Sequence, residues 1–228
     1  MKFVEFLSTH SYCKGLMILI ALVTFIISLK YYGRHRILRI FSYYLGFSLL
    51  QSAVDCYRHM IGKGAHIPTL YALIVDTAFL VFEFSVCTLF ILQFISAEKR
   101  RLILKINTVL YFVLLALLFV LKFPDVPFAW LFLLQSIVLV PPCLVYFYEL
   151  FITVNSQSLK DQPPFWIVTG ILFLNSCSIP LYLSLDYLGR YADSAFALND
   201  ILYSIFFILM IRAYRCNSDV WYEYNSYG

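Results

Sequence analysis

Four carboxylates fall within apolar stretches of this sequence: Asp55, Asp76, Glu83 and Asp200. An ionisable group at membrane depth is costly, so each is a functional candidate by default. Asp55 lies near the outer end of its segment, Asp76 and Asp200 lie in the outer thirds of theirs, and Glu83 lies near mid-span. Glu83 follows Asp76 by seven positions, which puts both on one helix face. Tyr44, Ser48, Gln51, Ser52 and Asp55 recur at spacings of three and four, forming a polar stripe that ends in Arg58 and His59. Asn199 precedes Asp200. If these faces converge, they line an acidic crevice open to the outside. Asp55, Asp76, Glu83 and Asp200 would be its acids, Arg58 and His59 its cations, and Asn199 an additional polar ligand. A mid-bilayer carboxylate is either protonated or paired, which makes it a ligand or proton switch. The bland alternative is that these groups cap helix ends, pair with tyrosines or, like Asp55 and Arg58, form an interfacial pair one helical turn apart.

The elements that must position these residues follow from composition. The chain has 228 residues, 62% hydrophobic, 19% aromatic and only 13% charged, with mean hydropathy +0.81. Soluble domains carry about 25% charged residues, so this is the composition of an all-α polytopic membrane protein. A span needs about 20 apolar residues. Seven such stretches run at about 14–29, 37–57, 69–96, 102–121, 128–153, 165–185 and 195–213, within one membrane domain followed by a short tail over 214–228. They are continuously apolar rather than alternating, which excludes a β-barrel. Gly33-Arg34-His35-Arg36, Gly62-Lys63-Gly64, Glu98-Lys99-Arg100-Arg101, Pro124-Asp125-Val126-Pro127, Asn155–Pro164 and Gly189-Arg190 punctuate them. No cleavage site follows the first stretch, so it reads as an uncleaved helix. No internal repeat and no soluble output domain is evident.

Orientation follows from Lys and Arg. With the N-terminus outside, Lys30, Arg34, Arg36, Arg39, Lys99, Arg100, Arg101, Lys105, Lys160, Arg212 and Arg215 face the cytoplasm, eleven of the seventeen basic residues. The net charge of +4 is therefore a topology signal and implies no nucleic-acid partner. Pro141-Pro142 in the fifth stretch should kink or break that helix, and Pro180 should act similarly in the sixth, so the three are hinge candidates. Asn107, Gln135 and Asn175 read as interhelical hydrogen-bonding amides.

Several chemistries are disfavoured. His10, His35, His59 and His66 are scattered and make no zinc motif. No His or Lys stands mid-span to activate a serine. The last stretch has no Schiff-base lysine for retinal, there is no arginine ladder, and paired intramembrane histidines for haem are absent. The six cysteines, without C-x-x-C, read as packing residues, and most of the Phe and Tyr as packing or interfacial belts. No metal and no cofactor is expected.

Pro164-Phe165-Trp166-Ile167-Val168-Thr169-Gly170-Ile171-Leu172-Phe173 resembles the opening of the sixth helix in a group of small bacterial seven-helix membrane proteins. Asn199-Asp200-Ile201-Leu202-Tyr203, running on to Arg215-Cys216, is similar to the last helix of that group, although Tyr203-Ser204 stands where a further Asn is expected. Tyr146-Phe147-Tyr148-Glu149-Leu150 and Glu83 also fit. The resemblance is sharpest over the last 80 residues or so. It implies a bacterial cytoplasmic (inner) membrane location and a link to sensory signalling, with a signalling protein such as a histidine kinase as partner at the cytoplasmic face. Three functions then compete. The first is a receptor-like regulatory module acting through a partner. The second is a proton, cation or small-solute transporter using Asp76, Glu83 and Asp200. The third is a lipid-processing enzyme using Asp55, Asp76 and Asp200.

Overall fold

The computed structural model describes residues 10–31, 36–61, 69–95, 97–122, 128–153, 161–188 and 192–216, and all of its regular structure is helical. Among the described residues seven helices follow in order: α1 His10–Lys30, α2 Arg36–Ile61, α3 Thr69–Gln93, α4 Glu98–Lys122, α5 Phe128–Thr153, α6 Pro163–Leu188 and α7 Ala192–Arg215. Among the described residues six of them, α1 and α3 to α7, are long and apolar enough to cross a membrane, as expected of a multi-pass membrane protein. Even α1, with 21 residues, extends about 31 Å, matching a hydrocarbon core of about 30 Å.

Local chemistry sets the helix ends. Pro163 and Pro164 sit in the first turn of α6, where a missing N–H costs nothing. The α3–α4 link is short, and Arg101 donates its Nε–H back to the Ile95 carbonyl at 2.6 Å, satisfying an acceptor beyond the end of α3. Lys30 closes α1, and Arg212 and Arg215 close α7, each complementing the negative end of its helix dipole. Within the helices, Thr24, Ser52, Thr77, Ser85, Thr108, Thr169 and Ser204 donate to the carbonyl four residues back. That removes the cost of a bare hydroxyl in apolar surroundings.

The principal helix contacts close a ring in the order α1, α2, α3, α5, α6, α7 and back to α1, with α4 docked outside against α5 and α3. Chain neighbours pack antiparallel. The α3–α5 and α7–α1 pairs are parallel, as shown by Glu83–Gln135 and Phe94–Tyr146 at one constant offset, and by Thr24–Phe207 and Tyr31–Tyr214 at another. The peripheral place of α4 explains its face of exposed Leu102, Ile103, Ile106, Val109, Val113 and Leu117. Its inward Tyr111 stacks on Phe84 with centroids 3.8 Å apart.

Two close approaches fix the ring. A Cβ on Gly170 would stand 2.9 Å from Phe206, so α6 and α7 meet at van der Waals limits there, and a Cβ on Gly46 would stand 3.2 Å from Phe25 of α1. Phe206 in turn meets the Tyr44 ring edge-on at 6.2 Å.

Of the expected kink or break in α5, a break does not occur. The helix runs unbroken through Pro141 and Pro142. Pro142 has no N–H for the Val138 carbonyl one turn back, and Asn107 of α4 takes that place, donating Nδ2–H to Val138 O at 2.9 Å. The peripheral helix thus completes the backbone of its neighbour. α6 likewise continues through Pro180.

Candidate functional site

The α2 stripe and the α3 carboxylates do meet. Tyr44 Oη donates to Glu83 Oε1 at 2.6 Å, and Gln51 Nε2 donates to Asp76 Oδ1 at 2.7 Å. Both partners advance by seven residues between the two bonds, so the antiparallel helices repeat the same contact two turns apart. Phe79 fills the layer between, stacked on Phe47 at 5.9 Å and on Tyr44 at 6.5 Å.

Glu83 lies at the centre of the ring and is 3% exposed. Its other oxygen accepts Gln135 Nε2–H of α5 at 2.7 Å, and Tyr203 of α7 lies beside it. One carboxylate therefore joins α3 to α2 and α5 and faces α7. Two donors suit an acceptor-only group that accepts at both oxygens. Tyr111, Tyr182 and Cys87 stand within electrostatic reach, and among the described residues no cation acts on Glu83. On the far side of the same amide, Gln135 Oε1 is buried with no hydrogen-bond partner among the described residues.

Asn199 accepts the Tyr182 hydroxyl at 3.1 Å, joining α7 to α6. Asp200, 7% exposed, lies beside it and acts on Tyr182 electrostatically. Tyr203 stands one turn further along the same face of α7, so Asn199, Asp200 and Tyr203 form a line leading to Glu83. Asp55, Arg58 and His59 belong to α2, but their side chains lie outside the described residues.

Gln135 bonds across to Glu83, as expected of an interhelical amide, and sequence reasoning missed two further participants. Tyr203 is one of 18 tyrosines, and only its spacing from Asn199 and Asp200 sets it apart. Glu149, 3% exposed, forms an ion pair with Arg100 of α4, whose guanidinium also lies 5.7 Å over the Tyr148 ring. The expected role of Asn175 also changes: it donates to Ile171 O of its own helix at 2.8 Å rather than across to a neighbour. A freed amide can satisfy itself one turn back as readily as across an interface.

The end of the bundle near Arg100 is held by further polar ties. Tyr214 of α7 hydrogen-bonds with Ser28 of α1 and Ser42 of α2, and Arg212 lies 5.8 Å over the Trp166 ring of α6. Lys30, Arg39, Lys99, Lys105 and Arg215 cluster at this same end. Among the described residues no group of three or more His, Cys, Asp or Glu side chains could hold a metal ion.

The arrangement can transmit a change of charge or hydrogen bonding at one buried point to four helices. No protein family, curated protein or solved structure matches this chain.

Proposed function

We propose that this protein is a seven-span membrane module of receptor-like, regulatory type, with its N-terminus outside and its C-terminus in the cytoplasm. Its output is read by a separate protein at the basic face. The observation that carries this reading is Glu83, a buried carboxylate bonded from two neighbouring helices and faced by Tyr203 of a third. A ligand that alters this junction or the polar line above it shifts how α7 packs against α3, and a shift of that kind is a population change a partner can sense. Treating α2 as a seventh span is supported by its 26 residues, its place in the ring between α1 and α3 and the inward direction of Tyr44 and Gln51. The orientation rests on the basic residues gathered at one end. A bacterial cytoplasmic membrane and a histidine kinase or similar signalling partner are the expectation that the α6 and α7 resemblance adds. Exposed Lys99 and Lys105 offer charge to such a partner or to anionic lipid.

The test is affinity purification of the native complex in mild detergent, with mass spectrometry of proteins and small molecules. A signalling protein that co-purifies with wild type and is lost with Lys99→Glu/Lys105→Glu supports the reading. A chain that arrives alone in repeated purifications contradicts it.

A second reading, proton or cation transport, draws support from the same carboxylate. Flux into liposomes that is abolished by Glu83→Gln would favour it over the regulatory one.

A further inference from the structure

The neighbours of Glu83 come from α2 through α7. Those facing it are Tyr44 of α2, Tyr111 of α4, Gln135 of α5, Tyr182 of α6, Tyr203 of α7 and Cys87 on its own helix. Phenols and thiols are neutral at physiological pH, so proton uptake takes this group from one negative charge to none. Gln135 is the residue that makes both states possible. It now donates Nε2–H to Glu83, while its Oε1 is buried without a donor among the described residues. A buried acceptor left bare costs about 1–3 kcal/mol. Rotating the amide by half a turn presents Oε1 to Glu83, where it can accept an O–H that only the protonated acid possesses. The Tyr111 hydroxyl of α4 is likewise buried and without a hydrogen-bond partner, so the region around the junction holds unused polar capacity.

We propose that the ligand of this junction is a proton. Glu83 takes one up from water, its carboxylate becoming a carboxylic acid. Gln135 turns its amide to accept the new O–H, giving up its Nε2–H bond to Glu83, and the loss of charge beside Tyr203 alters how α7 packs against α3. The new O–H is the only covalent bond formed. This deepens the regulatory reading by naming what the junction senses, and it rests on that reading only for its signalling consequence.

The experiment is pH-difference infrared spectroscopy of the isolated full chain in phosphatidylcholine nanodiscs, read at the carboxylic-acid C=O stretch. The expected result is a pH-dependent band that is lost in Glu83→Gln and shifted in frequency in Gln135→Leu. If Glu83→Gln does not fold, carbon-13 glutamate labelling of the wild type must shift the band, and Gln135→Leu must shift it further. The absence of a pH-dependent band overturns the proposal. So does a band that persists in folded Glu83→Gln or ignores the glutamate label, because another acid then holds the proton. A Glu83 band indifferent to Gln135→Leu overturns the amide's role. The measurement needs no partner, so failure of the regulatory reading leaves it intact. Conversely, a partner that binds a chain lacking the band preserves the regulatory reading while removing the proton.

Discussion

The bond from Asn107 to Val138 makes a quantitative prediction. Pro142 leaves the Val138 carbonyl without its backbone donor, and Asn107 Nδ2 supplies one from α4 at 2.9 Å. Asn107→Ala removes that donor. Interhelical hydrogen bonds in membranes are worth about 0.6 kcal/mol on average and up to about 1.7 kcal/mol, and leaving a buried acceptor bare costs about 1–3 kcal/mol. The site is only half-buried, so the expected loss is about 1–1.5 kcal/mol. Pro142→Ala restores a backbone N–H to the helix. In that background the Val138 carbonyl is satisfied locally, and Asn107→Ala should cost no more than about 0.5 kcal/mol. The double-mutant cycle therefore predicts a coupling of about 0.5–1 kcal/mol, measured by reversible unfolding in mixed detergent and bicelles. Strict additivity, with Asn107→Ala costing the same in both backgrounds, refutes the idea that α4 substitutes for the missing proline donor.

Other substitutions separate packing from polar terms. Glu83→Leu leaves Tyr44, Tyr203 and Gln135 facing an apolar group and should cost at least about 3 kcal/mol, whereas Glu83→Gln keeps one acceptor and should cost clearly less in thermal melts of the detergent-solubilised protein. Gly170→Ala drives a methyl into Phe206, which is itself fully buried, and should destabilise by about 1–3 kcal/mol, with Phe206→Leu relieving part of the loss. Arg100→Ala leaves Glu149 without its cation. The half-exposed arginine tempers the cost to about 1–3 kcal/mol, and adding Glu149→Gln should recover some of it in the same melts.

Much of this architecture can be read from the sequence, because hydropathy and turn chemistry act locally. All seven apolar stretches correspond to helices, and the spacing of Asp76 and Glu83 puts both on one face of α3, which meets α2. What sequence cannot supply is register and partnership. Tyr44 and Gln51 are legible as a polar stripe, but their pairing with Glu83 and Asp76 depends on how two antiparallel helices slide past one another. Gln135 carries no periodic signal and Tyr203 only its spacing from Asn199 and Asp200, and their roles arise only when α5 and α7 close on α3. Pro141-Pro142 predicts a kinked or broken helix on backbone grounds alone, and the donor that compensates comes from a helix about thirty residues earlier.

The central claim is that a change at Glu83 reaches the far end of α7. Tyr203 and Arg212 are nine residues apart, about 14 Å along the helix, and Arg212 lies over Trp166, which supplies a native reporter. The decisive measurement is the emission spectrum and quencher accessibility of Trp166 in protein carrying Trp130→Phe and Trp221→Phe, compared with the same protein bearing Glu83→Gln or Tyr203→Phe. The account predicts a shifted emission maximum and altered quenching in both variants, with the fold retained. Superimposable spectra and equal quenching in all three proteins would contradict it.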